Sequence, residues 1–113
     1  MTEFDQLVES LIFATGEGEA ERVDEGSMRK LEEEYESFCN MLPEWFDIED
    51  SCLVEGNCYE QFAHDYVMTR MGHGVGYWET SDWEEVAGRA LTNRCKGQGM
   101  LEAYEEEGVI YVV

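Results

Sequence analysis

The stretch TRMGHGVGYWET, residues 69–80, contains side chains suited to chemistry at close spacing. With His64 and Asp65 just before it, this region offers a polar set of two histidines, a carboxylate, a hydroxyl and a guanidinium: His64, His73, Asp65, Thr69 and Arg70. Asp65 could orient His73 for proton transfer, as carboxylates do in acid–base catalysis. The glycines do not indicate a phosphate loop, because GHGVG is not followed by Lys-Ser or Lys-Thr. A small enzyme using His73 and Asp65 is therefore the third of three functional hypotheses.

The same residues also have a structural interpretation, which we prefer, and it predicts no catalytic residue. The runs YVMTR and VGYWET favour strands, and Gly permits the positive φ of a tight turn. We therefore predict a hairpin across residues 66–79 with its turn at residues 71–74. Gly76 would allow close approach of a neighbouring group, and Asp65 would pair with Arg70 or His73 to hold the hairpin against the preceding helix. The residues assigned to this structural motif are Asp65, Arg70, Gly72, His73, Gly74, Gly76 and Trp78.

The order FAHDYVMTRMGHGVGYWE resembles a motif close to GHDFWLTRNGHGxGFWD, found in a family of small uncharacterised proteins of bacteriophages and prophages. The matching positions are His64, Asp65, Thr69, Arg70, Gly72, His73, Gly74, Gly76 and Trp78. Tyr66 and Tyr77 stand in place of Phe, Glu79 in place of Asp, and Met71 in place of the turn-forming Asn. The motif covers about a sixth of the chain. The resemblance implies a phage origin and a shared fold, and it implies no reaction.

Apolar periodicity predicts the helices around this motif. One helix covers residues 3–14, and a second, capped by Ser27, covers residues 27–42. A brief helix in PEWFDIED would turn Trp45, Phe46 and Ile48 inward. Asn57 could cap a helical segment that fades near residue 66, and SDWE is a capping box for a third long helix from Ser81 to about Cys95.

The chain ends in MLEAYEEEGVIYVV, which predicts a hairpin over residues 100–113 with its turn at EEG. The 113 residues suit one α+β domain with three main helices packed on a small antiparallel sheet made of two hairpins. Its parts would be an acidic helical half, 1–65, a neutral hairpin and helix block, 66–101, and the C-terminal hairpin, 100–113.

Net charge is the main compositional feature: 27 acidic and 7 basic residues give -20, with a pI near 4.1. Residues 1–65 contribute -16, residues 66–101 contribute 0 and residues 102–113 contribute -4. Such a chain repels nucleic acid and anionic membranes, so we expect it to bind neither directly. It attracts basic surfaces, and extended basic surfaces belong to proteins that hold DNA or RNA.

Two binding hypotheses follow from this charge. The first is an inhibitor that mimics nucleic-acid phosphate and blocks a DNA-binding host defence protein, either a restriction nuclease or a CRISPR effector. The second is an accessory or interaction protein of the phage without mimicry, whose acidic surface serves solubility or salt adaptation. The carboxylates expected to form the partner-binding face are Glu25, Glu32, Glu33, Glu36, Glu44, Asp47, Glu49 and Asp50.

The cysteine spacing gives an expectation about metal binding, and the first residues of the sequence give one about localisation. The tightest pair, Cys52 and Cys58, has five residues between them, which is not the CxxC spacing of a zinc site. We expect no metal and no cofactor. Residues 1–16 lack the basic start of a signal peptide, and their longest apolar run is LIFA. We therefore expect a cytoplasmic protein of the host cell with reduced thiols.

Overall fold

The computed structural model describes residues 3–15, 22–72 and 76–113. Within these ranges the helices are α1 (Glu3–Thr15), α2 (Glu25–Asn40), α3 (Ile48–Ser51), α4 (Cys58–Met71) and α5 (Glu85–Gln98). The strands are β1 (Arg22–Val23), β2 (Ala103–Glu106) and β3 (Val109–Val112). The predicted α+β class is confirmed. None of the helices in these ranges is long and apolar enough to cross a membrane.

The sheet formed by the described residues is mixed and contains one hairpin rather than the two predicted. Strands β2 and β3 pair antiparallel, with Tyr104 opposite Tyr111, which confirms the predicted C-terminal hairpin. Gly108 takes the positive φ, 79°, that its turn requires. Strand β1 pairs parallel with β3, so the order is β1-β3-β2.

The hairpin predicted across residues 66–79 is wrong, because residues 66–71 form the last turns of α4. Tyr66 and Val67 are both buried there, and their burial outweighs their preference for strands. Gly72 ends the helix in the left-handed conformation, at φ 71°. Glycine is therefore needed at this position for a helix cap rather than for a hairpin turn. His73 and Gly74 lie outside the described residues.

Two helices begin at caps other than those predicted from the sequence. Asp24 caps α2 by accepting a hydrogen bond from the amide of Ser27, at 3.0 Å. The Ser27 hydroxyl instead accepts from the amide of Val112 at 2.8 Å, which ties α2 to β3. Glu84, not Ser81, caps α5 through the amides of residues 86 and 87. The predicted Asn57 cap of α4 is confirmed.

The core is an aromatic cluster around α4. Phe62 lies 5.9 Å from the ring of Phe38, 5.5 Å from Tyr77 and 5.9 Å from Trp83. Leucines of α1 and α2 and Ile110 of β3 complete it. The prediction that Trp45 turns inward is wrong, since its side chain is 58% exposed.

Cys52 and Cys58 form a disulfide between the end of α3 and the start of α4, with Cα atoms 6.0 Å apart. The expectation that all four thiols are reduced is therefore wrong for this pair. Cys39 and Cys95 are free. Burial raises the pKa of Cys39 to about 11 and that of Cys95 to about 12, which keeps both thiols protonated at neutral pH.

Candidate protein-binding surface

Asp65 of the glycine-rich motif is a buried structural carboxylate. It accepts hydrogen bonds from the indole of Trp83 at 2.7 Å and from the amide of Gln61 at 3.0 Å. Burial raises its pKa, and these two hydrogen bonds partly oppose that shift. The predicted pairing with Arg70 is wrong, because Arg70 has other partners. Asp65 fixes the residues before α5 against α4.

Arg70 is 2% exposed and joins three elements. Its guanidinium donates to Glu34 of α2 at 2.8 Å, to the Tyr66 hydroxyl at 2.7 Å, and to the Gly99 carbonyl at 2.8 Å. A longer bond, 3.3 Å, reaches Gln98. The second carboxylate oxygen of Glu34 is buried without a partner. Arg70 is thus committed to the fold and is not available to an anionic ligand.

His64 forms a close pair with a serine that the sequence did not single out. Its Nδ1 lies 2.6 Å from the hydroxyl of Ser10 on α1. Ser10 is only 1% exposed and also accepts from Gln6 at 3.0 Å. A nucleophile must reach its substrate, so this buried hydroxyl suits a link between α1 and α4 rather than attack on a bound molecule.

Gly76 and Trp78 show why the motif needs a small residue after its loop. A Cβ at Gly76 would lie 2.5 Å from the Trp78 ring and 2.6 Å from the Thr69 hydroxyl. That hydroxyl accepts from the Tyr77 amide at 3.0 Å. The predicted close approach at Gly76 is confirmed. The Trp78 side chain remains 43% exposed.

The acidic surface comprises Glu25, Glu32, Glu33, Glu36, Glu44, Asp47, Glu49 and Asp50. All of these side chains reach solvent: seven are exposed and Glu32 is half-buried. On α2, Glu25, Glu32 and Glu36 are spaced by seven and four residues, so they lie on one stripe of the helix, beside the face that buries Leu31. Arg29 lies on the same stripe and interrupts it between Glu25 and Glu32.

The remaining four carboxylates follow α2 in the segment 43–50. Asp47 caps α3 by accepting from the amide of Asp50 at 3.0 Å. Glu49 accepts from the Tyr59 hydroxyl at 2.9 Å, and this bond raises the pKa of Tyr59. Two of the eight predicted residues therefore also stabilise local structure, whereas the exposed Glu44 makes no such contact with the described residues.

Two shallow hollows connect α2 to this segment, because Cys39 lines both of them. One, of about 300 Å³, is lined by Glu3, Tyr35, Glu36, Cys39 and Asn40. The other, of about 390 Å³, is lined by Cys39, Leu42, Pro43, Phe46, Asp47, Ile48 and Tyr59. Glu36 thus lies at one of two hollows that meet at Cys39, and Asp47 lies at the other.

Glu3 and Trp45 adjoin this surface, and the sequence did not predict either position. The Tyr35 hydroxyl donates to Glu3 at 2.6 Å, which brings the start of α1 beside α2. Trp45 lies between Glu44 and Asp47 in the sequence, and its side chain is exposed. The pairing of Glu3 depends on tertiary packing, and the apolar character of Trp45 favoured burial, so no local signal indicated them.

Few positive charges oppose this surface. Residues 24–50 contain ten carboxylates and two basic side chains, a net charge of -8. Between described residues the ion pairs are Arg70 with Glu34 and Arg89 with Glu85, and neither involves the acidic surface. Lys30 donates to the Val113 carbonyl. The described residues include no group of three or more His, Cys, Asp or Glu side chains that could hold a metal ion.

No protein-family model, no curated protein and no solved structure matches this chain.

Proposed function

We propose that this chain is a phage-type inhibitor whose acidic surface occupies the nucleic-acid-binding site of a basic host protein. The partner would be a host defence protein of the restriction or CRISPR type, and the inhibitor would act stoichiometrically in the cytoplasm without catalysis. The observation that carries the proposal is the run of solvent-accessible carboxylates from α2 through α3, which basic residues interrupt only at Arg29 and Lys30.

The spacing of these carboxylates supports phosphate mimicry. Neighbouring side chains on one helix face are about 5–6 Å apart. Each strand of duplex DNA carries one negative charge per about 3.4 Å of helix axis, so the spacing of the carboxylates and that of the phosphate charges are of the same order. Glu32, Glu33 and Glu36 provide the densest group, and Glu44 lies beyond the end of the helix. A rigid helix presents these charges without the entropy loss that ordering a flexible acidic tail would require.

The Cys52–Cys58 disulfide is compatible with cytoplasmic action if the fold persists after reduction. Cytosolic thiols are kept reduced, so the inhibitor would act there with both cysteines free. Closing so short a loop contributes about 2 kcal/mol in the chain-entropy model. Asn57 caps α4 within this loop and would continue to fix the start of the helix.

The second candidate is an accessory protein whose acidity serves solubility, and one observation favours it. Glu102, Glu105, Glu106 and Glu107 of the C-terminal hairpin region are also exposed, so acid is not confined to one face. If the acidity serves solubility alone, these four residues contribute to it as much as the residues of the acidic surface do.

Two charge-reversal variants separate the candidates. The first changes Glu32, Glu33, Glu36 and Glu44 to Lys, and avoids Asp47 because it caps α3. The matched control changes Glu102, Glu105, Glu106 and Glu107 to Lys, which alters net charge by the same amount. Both variants should stay folded, since exposed charges contribute little to stability.

The measurement is capture of bacterial lysate proteins on immobilised parent and variants, at low and high salt, followed by identification of what elutes. The proposal expects a nucleic-acid-binding protein that is captured at low salt by the parent and the hairpin variant but not by the surface variant. Equal capture by both variants would favour the accessory protein instead.

A further inference from the structure

Trp45 is an exposed aromatic side chain within the acidic surface. Its side chain is 58% exposed, with the exposed carboxylates of Glu44 and Asp47 close by in sequence. A surface that needed only charge or solubility would gain nothing from an indole in this place. Tryptophan is instead enriched among the residues that dominate binding energy at protein interfaces.

The turn that carries Trp45 is held in place by its neighbours. The amide of Phe46 donates to the carbonyl of Pro43 at 3.0 Å. The Phe46 ring packs against Phe62 of the core, with centroids 5.9 Å apart, while the rings of Trp45 and Phe46 meet edge to face at 6.4 Å. Asp47 then caps α3. The backbone that carries the indole is therefore held in place, which lowers the entropy cost of binding.

Two other large apolar side chains in this region of the chain are also exposed. Met41 at the end of α2 is 43% exposed, and Tyr59, which lines the same hollow as Pro43 and Phe46, is 40% exposed. The surrounding carboxylates exclude an acidic or strongly apolar partner, because their desolvation would go uncompensated.

The combination of indole and carboxylates distinguishes two kinds of basic partner. In duplex DNA the bases are stacked inside, so a protein that binds duplex phosphates has no need of a slot for an aromatic ring beside them. Proteins that bind single strands combine a cationic groove with aromatic side chains on which unstacked bases lie. An indole fits such a platform, because stacking depends on a π-face rather than on a particular base.

We infer that Trp45, flanked by Glu44 and Asp47, imitates an unstacked base beside its phosphates, and that the partner's blocked site binds single-stranded nucleic acid. This inference rests on the proposed function and narrows its partner class. The indole inserts into the aromatic platform of the partner, and the carboxylates lie along its cationic groove.

The experiment compares Trp45→Ala with Trp78→Ala, since both indoles are exposed but Trp78 lies in the neutral part of the chain. Trp45→Tyr is added because it retains a ring that can stack. Thermal unfolding of each variant verifies its fold. Proteins captured from bacterial lysate by the immobilised parent are challenged with oligodeoxythymidine and, separately, with a DNA duplex containing the same number of phosphates. The captured protein is then identified, purified and titrated with each variant.

The inference expects that oligodeoxythymidine displaces the captured protein at a lower concentration than the duplex does. Trp45→Ala should weaken binding by about tenfold or more, Trp45→Tyr by less, and Trp78→Ala should bind as the parent does. Displacement by duplex at equal or lower concentration, or parental affinity of Trp45→Ala, would overturn the inference and leave the proposed function standing. If neither nucleic acid displaces the captured protein, or if no protein is captured at all, the proposed function itself is overturned.

Discussion

Replacing Arg70 with Met should be among the most damaging substitutions at a charged position in the described chain. The change keeps an apolar stem of similar length but removes the guanidinium, and with it the hydrogen bonds to Glu34, Tyr66, Gln98 and Gly99. The side chain of Glu34 is only 27% exposed and one of its oxygens is already buried without a partner. Loss of Arg70 therefore leaves a poorly solvated carboxylate without its counter-charge.

The expected loss follows from this burial. Removing one partner of a buried ion pair costs about 3–5 kcal/mol, and the partial exposure of Glu34 places the effect near the lower end of that range. For a domain of this size, a loss of about 3 kcal/mol lowers the midpoint of thermal unfolding by roughly 12–20 °C. Urea unfolding followed by tryptophan fluorescence measures the free energy directly.

Arg89 provides the matched control, because its pair with Glu85 has both side chains at least 70% exposed. Arg89→Met should change the free energy of unfolding by about 0.5 kcal/mol or less. The double variant Arg70→Met/Glu34→Met should recover part of the loss, since no carboxylate is then left without a counter-charge. The account of Arg70 is refuted if Arg70→Met loses no more than Arg89→Met, or if the double variant is less stable than Arg70→Met alone.

Three further predictions concern the fold. Gly88→Ala should lower the free energy of unfolding by about 1–3 kcal/mol, because its Cβ would lie 2.5 Å from the Tyr77 carbonyl oxygen; unchanged urea unfolding would contradict this contact. Because burial raises the pKa of Asp65 above its ordinary 3.8, the folded state binds the proton more tightly, so the stability of the parent relative to Asp65→Asn should fall as pH rises from about 4 through that raised pKa. If the stability difference between the parent and Asp65→Asn stays flat or rises with pH, the raised pKa of Asp65 is contradicted. Reducing the Cys52–Cys58 disulfide should cost about 2 kcal/mol and leave far-ultraviolet circular dichroism unchanged, whereas loss of helicity would exclude action of this fold in a reducing cytoplasm.

Local signals in the sequence predicted the elements whose outer face is polar. The stripe of α2, the cap at Asn57 and the turn at Gly108 each depend on residues close together in the chain. Helix α4 is different, because Asp65, Tyr66, Val67 and Arg70 are all buried, so its apolar residues occupy more than one face. Without a single stripe there is no helical period to detect, and the β-favouring residues indicated a strand instead.

The residues of the candidate site also fall into two groups: those that local sequence predicts and those whose contacts depend on tertiary packing. The exposure of the carboxylates on α2 was predictable, because they lie outside the stripe that contains Leu31. The capping role of Asp47 and the contact of Glu3 with Tyr35 depend on where the chain folds back, which composition does not encode. Hydrophobicity alone predicts Trp45 to lie in the core. Its position in a turn is equally compatible with an exposed side chain, which is what the structure has.

The most direct test of phosphate mimicry is a competition between this chain and nucleic acid for the same partner. The identified partner is mixed at fixed low salt with increasing amounts of the parent and with the labelled nucleic acid that it binds more tightly, either oligodeoxythymidine or the DNA duplex. Fluorescence anisotropy reports the nucleic acid that remains bound. The account predicts complete displacement near one equivalent of inhibitor, normal displacement by the Glu102, Glu105, Glu106 and Glu107 variant, and none by the Glu32, Glu33, Glu36 and Glu44 variant. A ternary complex, in which the partner holds both molecules without mutual weakening, would contradict it.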